Sequence, residues 1–333
     1  MNLNFAIVGC GYIAMRHAEN IIRHGKLVAV CDIVPEKAKV IAQKYQARPF
    51  FSFDEMLEQE PSIGIVVVCT PNGLHAEHSI KALQKGKHVI CEKPMCISFP
   101  AALSMRDTAH FFRRHLFIVK QNRYNPPVRL LKDLLDQGRL GAIVSVQING
   151  FWNRGKAYFR NSWKGTAELD GGILYTQFSH FIDLLIWLFG DIRKIKAFKK
   201  NLILGSDIET EDNIVVIAEL ENQALCSLHF SISSYQQNME GSITVIGEKG
   251  TIKIGGQYLN TLEYIRVEGE EIMMPEASSP ANDYGFYQGS MSNHDKVYNN
   301  IMAILEGGKG AHANAEDGLK TVEVIERIYH ACR

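Results

Sequence analysis

NFAIVGCGYIAMRHAENIIRHGKLVAVCD, residues 4–32, decides the fold. It opens with a short apolar run, breaks at Gly9-Cys10-Gly11, and continues with Ala14, Ala18, Ile21 and Ile22 at helical spacing. Gly25 is expected to close that helix, and a second apolar run ends at Asp32. Strand, glycine turn, helix, strand is the unit that binds dinucleotides. Gly9 permits the tight turn, Gly11 lets the main chain approach a pyrophosphate, and Ala14 takes the third position, where a small residue allows close helix–strand packing. Cys10, Tyr12 and Ile13 lie between and beside them. The helix start offers amides and a positive dipole end to phosphates. Asp32 stands where a carboxylate accepts the adenosine ribose hydroxyls and opposes a 2′-phosphate, which predicts NAD rather than NADP.

Outward from this unit the alternation continues. Pro35 starts a helix with apolar Ala38, Ile41, Ala42 and Tyr45, IGIVVVC is apolar throughout, and Ala76, Ile80 and Leu83 form a helix ended by Gly86. HVICEKP and LFIVKQN read as further strands. Such a rhythm predicts a parallel, doubly wound α/β domain over residues 1–122. In such folds ligands bind beyond the carboxyl ends of the strands. That places Thr70, Pro71, Asn72 and His75 of TPNGLH, Glu92 and Lys93 of CEKPM, and Asn122 among the cofactor contacts.

From residue 123 to 333 the pattern changes. A helix from Pro126 to Gln137 leads to AIVSVQING, then NIVVIAEL, ALCSLHFSI, GSITVIG and GTIKIGG, separated by hairpin turns. A second α/β domain with a large, open, mainly antiparallel sheet is expected, closed by a helix over 315–331. Residues 275–293 read as a long loop. DGGILYTQFSHFID, residues 170–183, reads as one helix running on to Gly190. Thr176, Gln177, His180 and Asp183 share its polar face, and Leu174, Phe178, Phe181, Ile182 and Leu185 its apolar one. A single histidine on such a helix is ordinarily structural. A strand-end lysine beside a dinucleotide gives His180 a partner in acid/base chemistry.

Composition bounds the rest. The 333 residues carry 36 basic and 36 acidic side chains and are 46% hydrophobic, enough for two cores. Zero formal charge gives no electrostatic reason to expect nucleic acid or an anionic membrane. Apolar runs fall well short of a membrane span, and MNLNFAIVG lacks a signal-peptide pattern, so a cytoplasmic protein without membrane insertion is expected. The seven cysteines read as buried small hydrophobes, with no disulfide and no metal cluster.

GCGYIA, TPNGLH, CEKPM and the DGG…H…D segment together resemble the Gfo/Idh/MocA oxidoreductases over nearly the whole chain. The resemblance implies a Rossmann domain plus an open antiparallel sheet that mediates dimers or tetramers. It also implies that Lys93 and His180 are the catalytic pair, facing the nicotinamide of NAD. GYIAMRH, KQNRYNPPV, FRNSWKG, IETED and EGSITVIGEKGTIKIGG further resemble the branch acting on UDP-linked N-acetylated glucuronates. Those enzymes oxidise the sugar 3-hydroxyl, and a separate aminotransferase then aminates the ketone for bacterial surface polysaccharide such as lipopolysaccharide. An anionic nucleotide-sugar makes Arg123, Arg160 and Lys164 candidate ligands, with Trp163, Tyr124, Asn125, Gln177 and Tyr287 beside them. Inositol dehydrogenase-like relatives carry an aspartate where this chain has Thr176. That argues against a free polyol and leaves Asp183 as the substitute orienter. A dehydrogenase of inositol or a simple sugar, and an NAD(H)-binding redox sensor, remain the competing readings.

Overall fold

The computed structural model describes residues 3–272, 281–283, 288–308 and 314–332. The chain forms two compact units, Met1–Lys120 with His294–Val322, and Gln121–Asn293 with Glu323–Arg333. The sequence reading assigned everything after residue 122 to the second domain. The returning segment differs because it packs with the first unit.

The first unit runs β1 (Leu3–Val8), α1 (Tyr12–His24), β2 (Gly25–Cys31), α2 (Pro35–Tyr45), β3 (Arg48–Phe50), α3 (Phe53–Gln59), β4 (Ile65–Val68), α4 (His75–Gln84), β5 (His88–Cys91), α5 (Phe99–Phe111) and β6 (Leu116–Ile118). All six strands are parallel, in the order β3-β2-β1-β4-β5-β6. Every residue of β4 is fully buried, as a strand covered on both faces requires. Strand order reverses between β1 and β4, so their carboxyl ends open a ligand crevice. Helix α1 buries Ala14, Ala18 and Ile21, a stripe at i, i+4 and i+7. Gly25 closes this helix as its C-cap, its N–H donating to Ile21 O, though not in a left-handed conformation. It is extended and begins β2, where a Cβ would sit 2.2 Å from the Leu3 carbonyl oxygen.

The second unit contains α6 (Pro126–Asp136), β7 (Ile143–Phe151), α7 (Lys156–Phe159), α8 (Ile173–Thr176), α9 (Ser179–Phe189), β8 (Ile192–Lys200), β9 (Asn213–Leu220), β10 (Leu225–Ser231), β11 (Glu240–Gly247), β12 (Gly250–Gly255) and β13 (Thr261–Val267). Its seven-stranded sheet is ordered β13-β12-β11-β7-β10-β9-β8. All pairs are antiparallel except β7 with β10. One face buries Val146, Ile148, Val216, Leu228, Phe230 and Val245. Against it lie Phe178 and Phe181, with ring centroids 4.7 and 5.6 Å from Phe230.

Within the stretch read as a long loop, the described residues include a short antiparallel pair, β14 (Ala281–Asp283) with β15 (Gln288–Met291). Helix α10 (His294–Leu305) follows, and α11 (Ala315–Ala331) ends the chain at the expected bounds.

Candidate active site

The turn after β1 has the shape a dinucleotide needs. Gly9 has φ +89°, and a Cβ there would lie 2.6 Å from the main chain of Cys69. Its N–H donates to the Cys31 carbonyl at 2.8 Å, tying the turn to β2. Gly11 is the N-cap of α1 and supplies no side-chain acceptor to the first helical amides. The space its Cβ would occupy is open, so a pyrophosphate can approach the backbone there. Asp32 accepts from Cys10 N–H at 2.7 Å and Val34 N–H at 2.8 Å, which leaves each oxygen a further lone pair for a ribose hydroxyl. Tyr12 is exposed, Ile13 half-buried, and burial pushes the Cys10 thiol up to about 12, so it is not a nucleophile.

Two strand-end turns follow. Thr70 and Pro71 are half-buried, Asn72 is buried at the start of a single helical turn, and Thr70 Oγ1 lies 3.1 Å from His78 Nδ1. His75 and Glu92, read as cofactor contacts, turn their side chains to interior partners. The ring nitrogens of His75 lie 2.7 Å from Pro94 O and 2.8 Å from Thr70 O, so one imidazole spans both turns. Glu92 meets His17 at 2.8 Å and also takes the Lys93 N–H at 3.1 Å. Lys93 is half-buried on this turn.

In the second unit DGGILYTQFSHFID is two helices, not one. It breaks at Gln177 and Phe178, where the Phe178 N–H reaches back to Ile173 O at 2.9 Å and its ring stacks on Phe230. Thr176 therefore ends α8 while His180 is the second residue of α9. His180 is buried and held by its neighbours, and its Nε2 atom makes no hydrogen bond among the described residues. Thr176 donates its hydroxyl to Asp170, whose carboxyl burial raises to about 6. Gln177 is buried, its amide 3.5 Å from the Tyr158 hydroxyl.

Asp183 receives both arms of Arg123, at 2.8 and 2.7 Å, and the guanidinium also lies 5.2 Å from the Trp187 ring centroid. Both residues of this ion pair are buried, so Asp183 is engaged with Arg123 and Arg123 with Asp183. Asn125 is fully buried and structural, donating to Tyr258 O and Leu259 O and accepting from Asn293. Asn122 is buried with its Oδ1 unbonded among the described residues, and Tyr124 is half-buried. Arg160 is exposed, Trp163 half-buried, and Lys164 Nζ lies 3.9 Å from the Tyr158 ring centroid. Tyr287 falls outside the described residues.

Sequence reasoning missed Arg154, which is buried between Trp152 and Tyr158 and bonded to Asn238. An arginine among aromatics in WNRGKAYF was the available signal. It also missed the partners of His17, because His294 and Tyr298 are nearly 300 residues away in the chain.

Two family models match: the one described as "Oxidoreductase family, NAD-binding Rossmann fold" over residues 3–116, and "Oxidoreductase family, C-terminal alpha/beta domain" over 132–333. Both are Gfo/Idh/MocA models. The solved WlbA dehydrogenase of Bordetella pertussis, in complex with NADH and UDP-GlcNAcA, is 33% identical, with a TM-score of 0.88 over 99% of this chain and 96% of that one. Among curated relatives, the glucose-6-phosphate 3-dehydrogenase of Bacillus subtilis (strain 168) is 27% identical over 97% of this chain and 94% of its own. The 2,7-anhydro-N-acetylneuraminate hydratase of Escherichia coli (strain K12) is 30% identical over 80% and 71% respectively.

Proposed function

The chain belongs to the Gfo/Idh/MocA oxidoreductases, NAD-dependent dehydrogenases of CH–OH groups, and from that premise we propose that it oxidises the 3-hydroxyl of a UDP-linked N-acetylated glucuronate. The observation that carries this reading is the likeness, at 33% identity along 99% of the chain, to a dehydrogenase solved with NADH and UDP-GlcNAcA. Thr176 supports it: the hydroxyl is occupied by Asp170, so this position offers no carboxylate of the kind expected in a polyol site.

Bound NAD supplies the hydride acceptor. The residues that would hold it are Gly9, Gly11, Asp32 and the turns at Thr70 and Glu92. The protein must remove the hydroxyl proton, and a positioned base contributes about 10²–10⁴-fold. In this proposal His180 takes that proton, directly or through Lys93, while Lys93 binds the hydroxyl oxygen and steadies the developing alkoxide. Lys164, Arg160 and Gln177 are assigned to the anionic and polar groups of the sugar nucleotide.

The ketone formed is the substrate of an aminotransferase, in the cytoplasmic synthesis of surface polysaccharide. The outer face of the seven-stranded sheet is proposed as the surface joining copies of the chain. Among the described residues no helix is long and apolar enough to cross a membrane.

The test is NADH formation on adding NAD and a panel of sugars. UDP-GlcNAcA is expected to be oxidised, with UDP-GlcNAc, inositol and glucose inert. A sugar 6-phosphate is the second reading, favoured by the near full-length relative acting on glucose 6-phosphate. Its turnover in place of UDP-GlcNAcA would replace the proposal. A chain that binds NADH and reduces nothing would be a redox sensor. His180→Ala and Lys93→Ala should each abolish turnover while NADH still binds.

A further inference from the structure

Four polar side chains meet in the interior of the first unit. His17 of α1, Glu92 after β5, and His294 and Tyr298 of α10 are all buried. His17 Nδ1 lies 2.9 Å from the Tyr298 hydroxyl and its Nε2 2.8 Å from Glu92 Oε1. His294 Nε2 is 3.4 Å from the same oxygen, and Glu92 Oε2 accepts the Lys93 N–H at 3.1 Å. One placement of protons satisfies the chain of contacts. Tyr298 donates its hydroxyl to Nδ1 of a neutral His17, which donates from Nε2 to an ionised Glu92.

The protonation states agree with that placement. Burial pushes the Tyr298 phenol well above 10 and pulls the His17 imidazole below 6.5, against the pull of Glu92. Burial alone would raise the Glu92 carboxyl, but hydrogen bonds from His17 and His294 hold it well below the usual carboxylate range. The cluster has the residue types of a metal site, yet its spacing is that of shared protons. Two zinc ligands at about 2.0–2.1 Å from the ion stand about 3.3 Å apart in a tetrahedron, wider than the 2.8 Å between His17 and Glu92.

We propose that His17, together with Tyr298 and His294, is a positioning residue for Lys93 and acts through the Glu92 carboxylate. The helix that opens at the dinucleotide turn, the turn bearing Lys93 and the returning helix are thereby braced on one buried charge. An ionised carboxylate is expensive to bury without such donors. Removing the His17 donor lets Glu92 protonate or swing away. The Lys93 main chain then loses an acceptor, and the turn that carries its amine is no longer held in place.

Lys93 titration in the full chain with NADH bound tests this, read from 13C-labelled lysine side chains and assigned by the signal lost in Lys93→Arg. His17→Leu is expected to shift the Lys93 titration, and His17→Gln, which restores an N–H donor, to return it toward wild type. Tyr298→Phe keeps the packing volume and removes only the group that fixes the His17 tautomer. It covers the case in which His17→Leu does not fold, and should shift Lys93 in the same direction. With substrate, kcat should fall by up to about 10²-fold, the scale of a misplaced reacting group, while KM changes little. This kinetic arm rests on the reading of Lys93 as the hydroxyl-binding residue, whereas the titration needs no sugar. A Lys93 shift without turnover of any sugar tried would count against the function and for the brace. A Lys93 titration identical to wild type in folded His17→Leu, or in Tyr298→Phe, overturns the brace.

Discussion

At the scale of single residues, the charges that sequence reading assigned to a ligand divide into two groups. Arg123 has its forked donors on Asp183 in a buried, two-bond ion pair, while Lys164 and Arg160 sit on or near the surface. Removing one partner of a buried pair leaves the other as an uncompensated charge, at a cost of about 3–5 kcal/mol. Asp183→Ala is therefore expected to reduce the unfolding free energy by that amount in urea titrations. Loss of activity with unchanged stability would instead make Asp183 part of the chemistry. No sequence pattern shows this pairing, since residues 123 and 183 are 60 apart and each carries a charge that suits a ligand equally well.

At the scale of elements, the glycines of DGG are explained by what they face. Gly172 has φ +115° and ψ 170°, a conformation reserved to glycine, and a Cβ there would lie 2.3 Å from the Tyr329 hydroxyl. That hydroxyl donates to Glu211 at 2.6 Å, and Glu211 accepts the Ile173 N–H at 3.0 Å, so the start of α8 is held by α11 and by the turn before β9. Gly172→Ala should destabilise the second unit by at least the ~1–3 kcal/mol of backbone strain. The readout is the urea midpoint, and a midpoint within error of wild type would refute the steric account.

Five strands and three helices of the first unit were legible because each repeats a local period, whereas β3, α3, α5 and α10 were not read from the sequence. The break between α8 and α9 was not legible, since it follows from Phe178 stacking on Phe230, 52 residues away. Strand β8 was missed for a related reason: IRKIKAFKK carries lysines on both sides of its alternation, which hides a strand at the edge of a sheet. Its outward Phe198 pairs with Val215, and Ile217 and Leu225 lie on the same outer face. Phe198, Ile217 and Leu225 are more than 60% exposed, an apolar surface suited to a second copy. Ile217→Lys with Leu225→Lys should reduce the mass seen by light scattering to that of one 37.4 kDa chain. An unchanged mass from a wild-type oligomer would remove this face as the interface.

At the scale of the whole molecule, burial acts on histidines in one direction. His17, His24, His75, His78, His229 and His88, the last down to about 4, all have pKa values pulled below 6.5 by burial. Between those values and 6.5 the unfolded chain binds protons that the folded chain refuses, so stability present above pH 6.5 is lost as the pH falls. Asp170, raised to about 6, and Glu211, also raised by burial, work the other way, because the folded state keeps a proton that the unfolded state releases. Each fully buried group contributes at most about 1.4 kcal/mol per pH unit. Six histidines stand against two carboxyls, so a net fall in stability is expected from pH 6.5 to 5. Urea midpoints at pH 7.0, 6.0 and 5.0 measure it, and a flat or rising trend would contradict the neutral state assigned to His17. Because His17→Gln keeps the donor to Glu92 but cannot titrate, its slope should be shallower than wild type over this range. A steeper or equal slope would mean that the proton taken up on unfolding goes elsewhere.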